Sequence, residues 1–125
     1  KKKNKMRDSL IGTGFPFRDF KYLSDYLKIL EDVILNTSGV RRPGAAALDL
    51  AYVAAGWLDG FWEIGLSKWD IAAGGLIVRE AGGIVSDFSE QQEWLESGNI
   101  ICSNPFIYEP FIKLIQKKLP QELKS

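Results

Sequence analysis

The chain has 125 residues, enough for one domain or part of one. Its 16 basic and 16 acidic residues cancel, and no apolar stretch is long enough to span a membrane, so composition argues against nucleic-acid and membrane binding. The single cysteine, Cys102, excludes an intrachain disulfide and fits a reducing, cytoplasmic setting.

The first half of the chain predicts a strand over residues 9–14 and a helix over 19–36, in which apolar residues recur at three- and four-residue spacing. The buried face of that helix is predicted to consist of Leu23, Tyr26, Leu27, Leu30 and Ile34. A short extended piece follows at 40–42. The next helix, over 44–55, is apolar almost all round, which predicts that it is buried.

The second half predicts three strands and two helices. The strands are residues 58–64, 84–87 and 99–103. One helix covers 69–81 and ends at a glycine pair. Asn104 and Pro105 suit the start of a further helix, but Pro110 lacks a backbone donor, so that helix is expected only from about Glu109. Strands that alternate with helices predict an α/β layered domain.

The residue types present also limit the chemistry. With no His, the chain cannot supply the base of a Ser-His-Asp triad or imidazole ligands for zinc. One Cys cannot build a thiolate site, so a bound metal would have oxygen ligands, which suits Mg²⁺. Neither a GxxxxGK[ST] phosphate loop nor a GxGxxG motif after a strand is present.

The most informative segment, residues 68–83, places a single acid at the start of a helix. Asp70 would lie in the first turn, where free backbone N–H groups favour negative charge. Small residues follow it and leave room for a ligand. Two interpretations stay open from the residues alone: Asp70 caps the helix, or it holds a cation beside a phosphate.

The same segment resembles the C-terminal signature of the inositol monophosphatase family, W-D-x-A-A-G, an apolar stretch and E-A-G-G, here from Trp69 to Gly83. Further blocks follow the family's order: GTGFPF at 12–17, RRPGAAALDLAY at 41–52 and DGFWEIGL at 59–66. The chain resembles bacterial members most, from about Leu10 to about Pro105.

This resemblance implies a layered mixed sheet with helices on both faces, the C-terminal half of the αβαβα fold of inositol monophosphatases and fructose bisphosphatases. Residues 1–125 correspond to that half only. The family's other signature, D-P-(I/L)-D-G-T, is absent, and in the family that first half supplies most metal-binding carboxylates and a Thr near the attacking water. The chain alone is therefore expected to be inactive and to carry no catalytic residue of its own.

The resemblance also implies a set of substrate contacts. It places Asp70 on the second catalytic Mg²⁺ and on substrate, and Glu63 on a substrate hydroxyl. Arg41 would lie nearby, on substrate or on a second subunit. The backbone that contacts substrate would be that of Gly44, Ala45 and Ala46. From the residues alone, these three small residues equally predict tight helix packing.

Other polar residues are interpreted as structural. Arg42 is expected to form a salt bridge, with Asp49 as its partner. Asp87, Glu80 and Arg79 receive no functional assignment. The loop after Asp87 departs from the Gly-rich turn that relatives often carry, which affects only the expected shape of that loop.

The resemblance implies a Mg²⁺-dependent, Li⁺-sensitive phosphatase that removes phosphate from inositol monophosphates or related polyol or sugar phosphates by metal-activated water. Nucleotide 3′-phosphatase, fructose bisphosphatase and histidinol phosphatase are the near alternatives. A homodimer is expected. Some bacterial relatives are partners of the transcription machinery, so a protein-binding role is a further alternative. The sequence does not identify the natural substrate.

Overall fold

The computed structural model describes residues 4–14, 20–42, 46–66 and 68–123. The strands are β1 Leu10–Thr13, β2 Gly39–Arg41, β3 Gly60–Glu63, β4 Ile84–Ser86 and β5 Ile100–Ser103. The helices are α1 Leu23–Asn36, α2 Ala46–Ala55, α3 Lys68–Glu80, α4 Trp94–Ser97 and α5 Tyr108–Lys117. Short 3₁₀ turns occur at Met6–Asp8, Phe20–Tyr22 and Gln121–Leu123.

The five strands form one mixed sheet in the order β2-β1-β3-β5-β4. β1 is parallel to β2 and β3, whereas β5 is antiparallel to β3 and β4. Parallel pairs need long connections, which α1 provides from β1 to β2 and α2 from β2 to β3. Because β2 and β3 lie on opposite sides of β1, right-handed crossovers place α1 and α2 on opposite faces. The predicted fold class is confirmed.

One face of the sheet is covered by α1 and α5. The helix residues that are fully buried there are Tyr26, Ile29, Val33, Phe111, Ile112 and Ile115. The strands contribute Ile11, Trp62 and Ile101, which alternate with residues on the other face. The Trp62 ring stacks on Tyr26 at 5.8 Å and meets Phe111 edge-on at 6.4 Å. Large aromatic side chains thus fill the centre of this core.

The predicted buried face of α1 is partly wrong. Tyr26 is buried as expected, but Leu27 and Ile34 remain 49% and 54% exposed. The helix instead buries Ile29 and Val33. Both sets of residues have helical spacing, so the apolar pattern allowed two faces, and packing against α5 selected one of them.

The opposite face of the sheet is covered by α2 and α3, which pack side by side. Gly74 permits this contact, because a Cβ there would stand 2.6 Å from Cδ1 of Leu50. Leu50, Phe61 and Ile71 are fully buried in the resulting core. The burial predicted for α2 on all sides is incomplete, since Leu48 is 44% exposed.

The outer side of α3 is apolar, and no described part of the chain covers it. Trp69 is 93% exposed, Leu76 54% and Ile77 50%, with the exposed Ala72 and Ala73 between them. These positions follow the i, i+3, i+4, i+7, i+8 spacing of a helix face that packs against another element. We call these five residues the outer stripe of α3.

The last helix begins at Tyr108, close to the predicted start. Asn104 acts as a cap, but for the turn before α5: its Oδ1 accepts hydrogen bonds from the backbone N–H groups of Phe106 at 2.9 Å and Ile107 at 3.1 Å. Pro110 lies in the first turn of α5, where backbone N–H groups have no intrahelical acceptor, so the missing N–H of proline costs no helical hydrogen bond.

The sequence did not predict α4. Among the described residues, no helix has the length and apolarity needed to cross a membrane.

Candidate functional site

The parallel strands β1 and β3 end side by side at one edge of the sheet. The chain leaves β1 towards α1 on one face and leaves β3 towards α3 on the other. Neighbouring strands whose connections diverge in this way leave a crevice outside their carboxyl ends, where open α/β sheets bind ligands. α2 and α3 also begin at this edge, since each follows a parallel strand that ends there.

Glu63, the last residue of β3, lies at this edge of the sheet and is half-buried. Strand alternation places it on the same face as Phe61, towards α2 and α3, whereas Trp62 faces α1. Its carboxylate lies directly against Gly14, the residue after β1. A Cβ on Gly14 would stand 2.5 Å from the carboxyl carbon of Glu63 and 2.9 Å from its Oε2. The structure therefore brings together residues of two family-like segments, 12–17 and 59–66, that are far apart in sequence.

Hydrogen bonds beneath Glu63 join the ends of β1 and β3. Thr13 Oγ1 donates to the Trp62 carbonyl oxygen at 3.2 Å and lies 3.0 Å from the Tyr26 hydroxyl, which can donate to it. Burial raises the pKa of Tyr26; the Thr13 hydrogen bond and the charge of Arg42 oppose this rise, and the negative charge of Glu63 adds to it. The sequence placed Tyr26 only on an apolar helix face, so its hydroxyl bond was missed.

The predicted contacts at the start of α2 are only partly within the described residues. Ala46 is the first residue of α2 and is half-buried, while Gly44 and Ala45 lie outside the described residues. Arg41 is exposed, and its Nη1 donates to the Val40 carbonyl oxygen at 3.2 Å. Its guanidinium thus turns back along β2. The predicted substrate contacts of these residues stay predictions.

Asp70 is the third residue of α3, within its first turn as predicted, but its side chain lies outside the described structure. No group of three or more His, Cys, Asp or Glu able to hold a metal ion occurs among the described residues. The available donors nevertheless suit a hard cation. The chain has no His, and burial raises the pKa of the Cys102 thiol, so oxygen ligands are what it can offer. The predicted role of Asp70 as one such ligand stays a prediction.

Asp49 on α2 is a buried acid whose environment the sequence did not reveal. Only 1% of it is exposed, and its Oδ1 has no hydrogen-bond partner. Burial raises its pKa to about 7, and the charge of Arg42 opposes that rise. A lowering of the Asp49 pKa by Arg42 is in the direction expected if the two residues pair as predicted. The feature of the sequence that could have indicated a buried acid is that Asp49 is the one charged residue in an otherwise apolar helix.

A cavity of about 310 Å³ lies at the other end of the same two helices. It is lined by the end of α2 and by Val78, Asp59 and Asn104. Asp59 accepts a hydrogen bond from the Leu10 backbone N–H at 2.8 Å and one from Asn104 Nδ2 at 3.4 Å. None of the predicted site residues lines it, so we place the candidate site at the ends of β1 and β3 instead.

Comparison with known proteins gives concordant matches. The sequence model of the inositol monophosphatase family matches residues 1–120. The chain is 51% identical over 121 residues to the Nus factor SuhB of Pseudomonas aeruginosa, covering 95% of this chain and 45% of that protein. It is 50% identical over 115 residues to an inositol-1-monophosphatase of Mesorhizobium japonicum, covering 92% and 43%. The structure of the extragenic suppressor protein suhB from Bartonella henselae matches with a TM-score of 0.88 and 44% identity, over 94% of this chain and 45% of that one. The chain thus spans less than half the length of these relatives.

Proposed function

The chain belongs to the inositol monophosphatase family, and on that premise we propose that the protein containing it is a Mg²⁺-dependent phosphatase. Its proposed substrate is inositol monophosphate or a related polyol or sugar phosphate. The observation that supports this best is the Glu63 carboxylate, which lies against Gly14 where β1 and β3 end. A carboxylate only accepts hydrogen bonds and can take them from two adjacent hydroxyls, the pattern that a polyol ring offers.

The residues of this chain would bind and orient the substrate. Glu63 would accept from ring hydroxyls remote from phosphorus. The backbone N–H groups at the start of α2, from Gly44 to Ala46, would meet a sugar or phosphate oxygen, as helix starts commonly do. Asp70 would hold a cation. The chemistry that Mg²⁺ would supply there is neutralisation of negative charge on the phosphate oxygens and on the departing alkoxide.

The chain would be one half of that enzyme. Its matched relatives are more than twice as long, and the outer stripe of α3 has the pattern of a buried helix face although it is exposed. We propose that the other half of the protein covers this stripe and contributes the remaining metal-binding carboxylates. Residues 1–125 would then form the C-terminal part of the site, without a catalytic residue of their own.

Phosphate release by the whole protein tests this function. We expect turnover of inositol 1-phosphate with Mg²⁺, loss of turnover after treatment with EDTA, recovery when Mg²⁺ is restored, and inhibition by Li⁺. Faster hydrolysis of a nucleotide or sugar bisphosphate would select the alternative substrates of the same superfamily. Absence of phosphate release from all of these substrates would contradict the proposal.

A second candidate function is binding to the bacterial transcription machinery, because the Pseudomonas aeruginosa relative is named a Nus factor. The balanced charge favours a protein partner over direct contact with RNA. Immobilised whole protein should then retain purified RNA polymerase components in a salt-dependent way, and Asp70→Asn should retain them equally if binding is separate from catalysis. No retention at low salt would contradict this role.

Oligomeric state and location complete the proposal. A homodimer is proposed by resemblance to the family, and light scattering of the whole protein at several concentrations tests it. A cytoplasmic location is proposed because the single Cys102 is buried as a thiol. Fractionation of cells that express the whole protein tests the location.

A further inference from the structure

We propose that Gly14 is a specificity-determining position of the site: the lack of a side chain there lets the Glu63 carboxylate lie where it can meet substrate hydroxyls. The inference rests on the proposed function. Gly14 would act as a positioning residue through Glu63, without touching substrate itself.

The first observation is the space that the carboxylate occupies. An alanine Cβ at Gly14 would come within 3 Å of both carboxylate oxygens and of the carboxyl carbon of Glu63. The register that pairs Thr13 with Trp62 continues to place Gly14 beside Glu63. The carboxylate therefore lies where the side chain of any other residue at position 14 would begin.

The second observation excludes the usual reason for a glycine. Four glycines of the described chain adopt positive φ, which favours glycine over other residues: Gly56, Gly65, Gly82 and Gly98. Gly14 is not among them, so its backbone conformation is open to alanine. Among the described atoms, the Glu63 carboxylate is the neighbour that a side chain at position 14 would displace.

The third observation is that the two strand ends cannot easily move apart. Thr13 bonds to the Trp62 carbonyl oxygen and to Tyr26, which is fully buried. A Cβ at position 14 would therefore be accommodated by the end of the Glu63 side chain, which is flexible, and not by separation of β1 from β3. We expect Gly14→Ala to fold and to displace the carboxylate.

Gly12 offers a matched control on the same face of β1. A Cβ there would stand 2.8 Å from Leu58 Cδ1 and 3.3 Å from Phe61, which are both apolar. Gly12→Ala thus crowds the core close to the site but leaves the carboxylate in place. It separates a general effect of crowding from an effect on Glu63.

The test compares two substrates on the whole protein with Mg²⁺: inositol 1-phosphate and 4-nitrophenyl phosphate, which has no ring hydroxyls. Gly14→Ala should lower kcat/KM for inositol 1-phosphate about tenfold or more, mainly through KM, because it removes a charged hydrogen bond to substrate. Its kcat/KM for 4-nitrophenyl phosphate should stay within about twofold of the wild-type value.

In a Glu63→Gln background, Gly14→Ala should cause little further loss of kcat/KM for inositol 1-phosphate, since both changes act on one interaction. Gly12→Ala should lower the melting temperature without changing the ratio of the two substrates.

The outcomes that overturn the inference are distinct. If Gly14→Ala matches wild type on both substrates, or loses equally on both, Gly14 does not set specificity, although the proposed function stands. If the Gly14→Ala and Glu63→Gln effects add fully, the two residues act separately and the inference fails. If the wild-type protein hydrolyses neither substrate, the proposed function fails and this inference fails with it.

Discussion

The helices on the two faces of the sheet differ in the apolar surface that their outer sides leave exposed. On the first face, α1 and α5 bury Tyr26, Ile29 and Phe111 completely. On the second face, α3 leaves Trp69 93% exposed and Leu76 54% exposed. Both faces carry a buried apolar core between the helices and the sheet. The difference lies on the outer sides of the helices: the exposed apolar residues of α1 lie among charged ones, whereas the outer stripe of α3 is apolar throughout.

The candidate site lies on the second face. Glu63 points to it, α2 and α3 begin beside it, and Asp49 is buried within it. The residues proposed to bind substrate are thus on the same side of the sheet as the outer stripe of α3. The first face supplies the rigid support beneath them, through the Thr13 and Tyr26 hydroxyls.

The largest effect that sharpens this comparison is expected at Asp70, on the second face. In the whole protein, Asp70→Asn should abolish phosphatase activity with little change in melting temperature. Asn keeps the size and capping ability of Asp but loses the charge that holds the cation. The measurements are kcat and Tm against wild type. A kcat that remains within a few-fold of wild type would make Asp70 a helix cap only.

Two truncations compare the filled core of the first face with the outer stripe of α3. Phe111→Ala, on the first face, should lower the free energy of unfolding of the 125-residue chain by about 3–5 kcal/mol, because it opens a cavity in a filled core. Leu76→Ala, in the outer stripe of α3, should change it by at most about 0.5 kcal/mol. Urea unfolding of both variants is the measurement. Similar losses for the two would contradict the exposure of the outer stripe of α3.

A smaller effect is expected at Glu63, and on one substrate only. Glu63→Gln keeps the shape of the side chain but loses its charge, and a charged hydrogen bond is worth about 1.5–3 kcal/mol. In the whole protein this corresponds to a loss of about ten- to hundredfold in kcat/KM for inositol 1-phosphate. A phosphate ester without ring hydroxyls should be hydrolysed almost as by wild type. Equal losses on the two substrates would assign Glu63 to the metal site or the fold.

A further effect on the second face is a pH dependence of stability from Asp49. Its pKa is raised from 3.8 to about 7 in the folded chain, so the folded chain keeps a proton that the unfolded chain releases. The free energy of unfolding should therefore fall as the pH rises through this window. Asp49→Asn, which cannot ionise, should raise Tm relative to wild type at pH 8 but not at pH 4. A constant difference between Asp49→Asn and wild type across this range would exclude the titration of Asp49.

Local patterns predicted most elements of the fold. The glycine pair after α3 and the aromatic residues of β3 predicted the ends of these two elements to within one or two residues of those in the structure. The choice of buried face on α1 could not be predicted, because Leu27 and Ile29 belong to two equally periodic sets and only contact with α5 decides between them.

The site was less accessible from the sequence than the fold. Glu63 was named by resemblance, but its contact with Gly14 joins two strands that are distant in sequence, and no local spacing predicts such a contact. The hydrogen bond between Thr13 and Tyr26 was not predicted for the same reason. The burial of Asp49 depends on how α2 packs on the sheet, which only the assembled layers determine.

One measurement tests the central claim most directly, that this chain is half of a phosphatase site. Phosphate release from inositol 1-phosphate with Mg²⁺ should be compared between the whole protein and the purified 125-residue chain, after circular dichroism has shown that the shorter chain is folded. We predict turnover by the whole protein and none by the chain alone, because one carboxylate at Asp70 cannot hold the paired cations that the reaction needs. Substantial turnover by the 125-residue chain would contradict the claim.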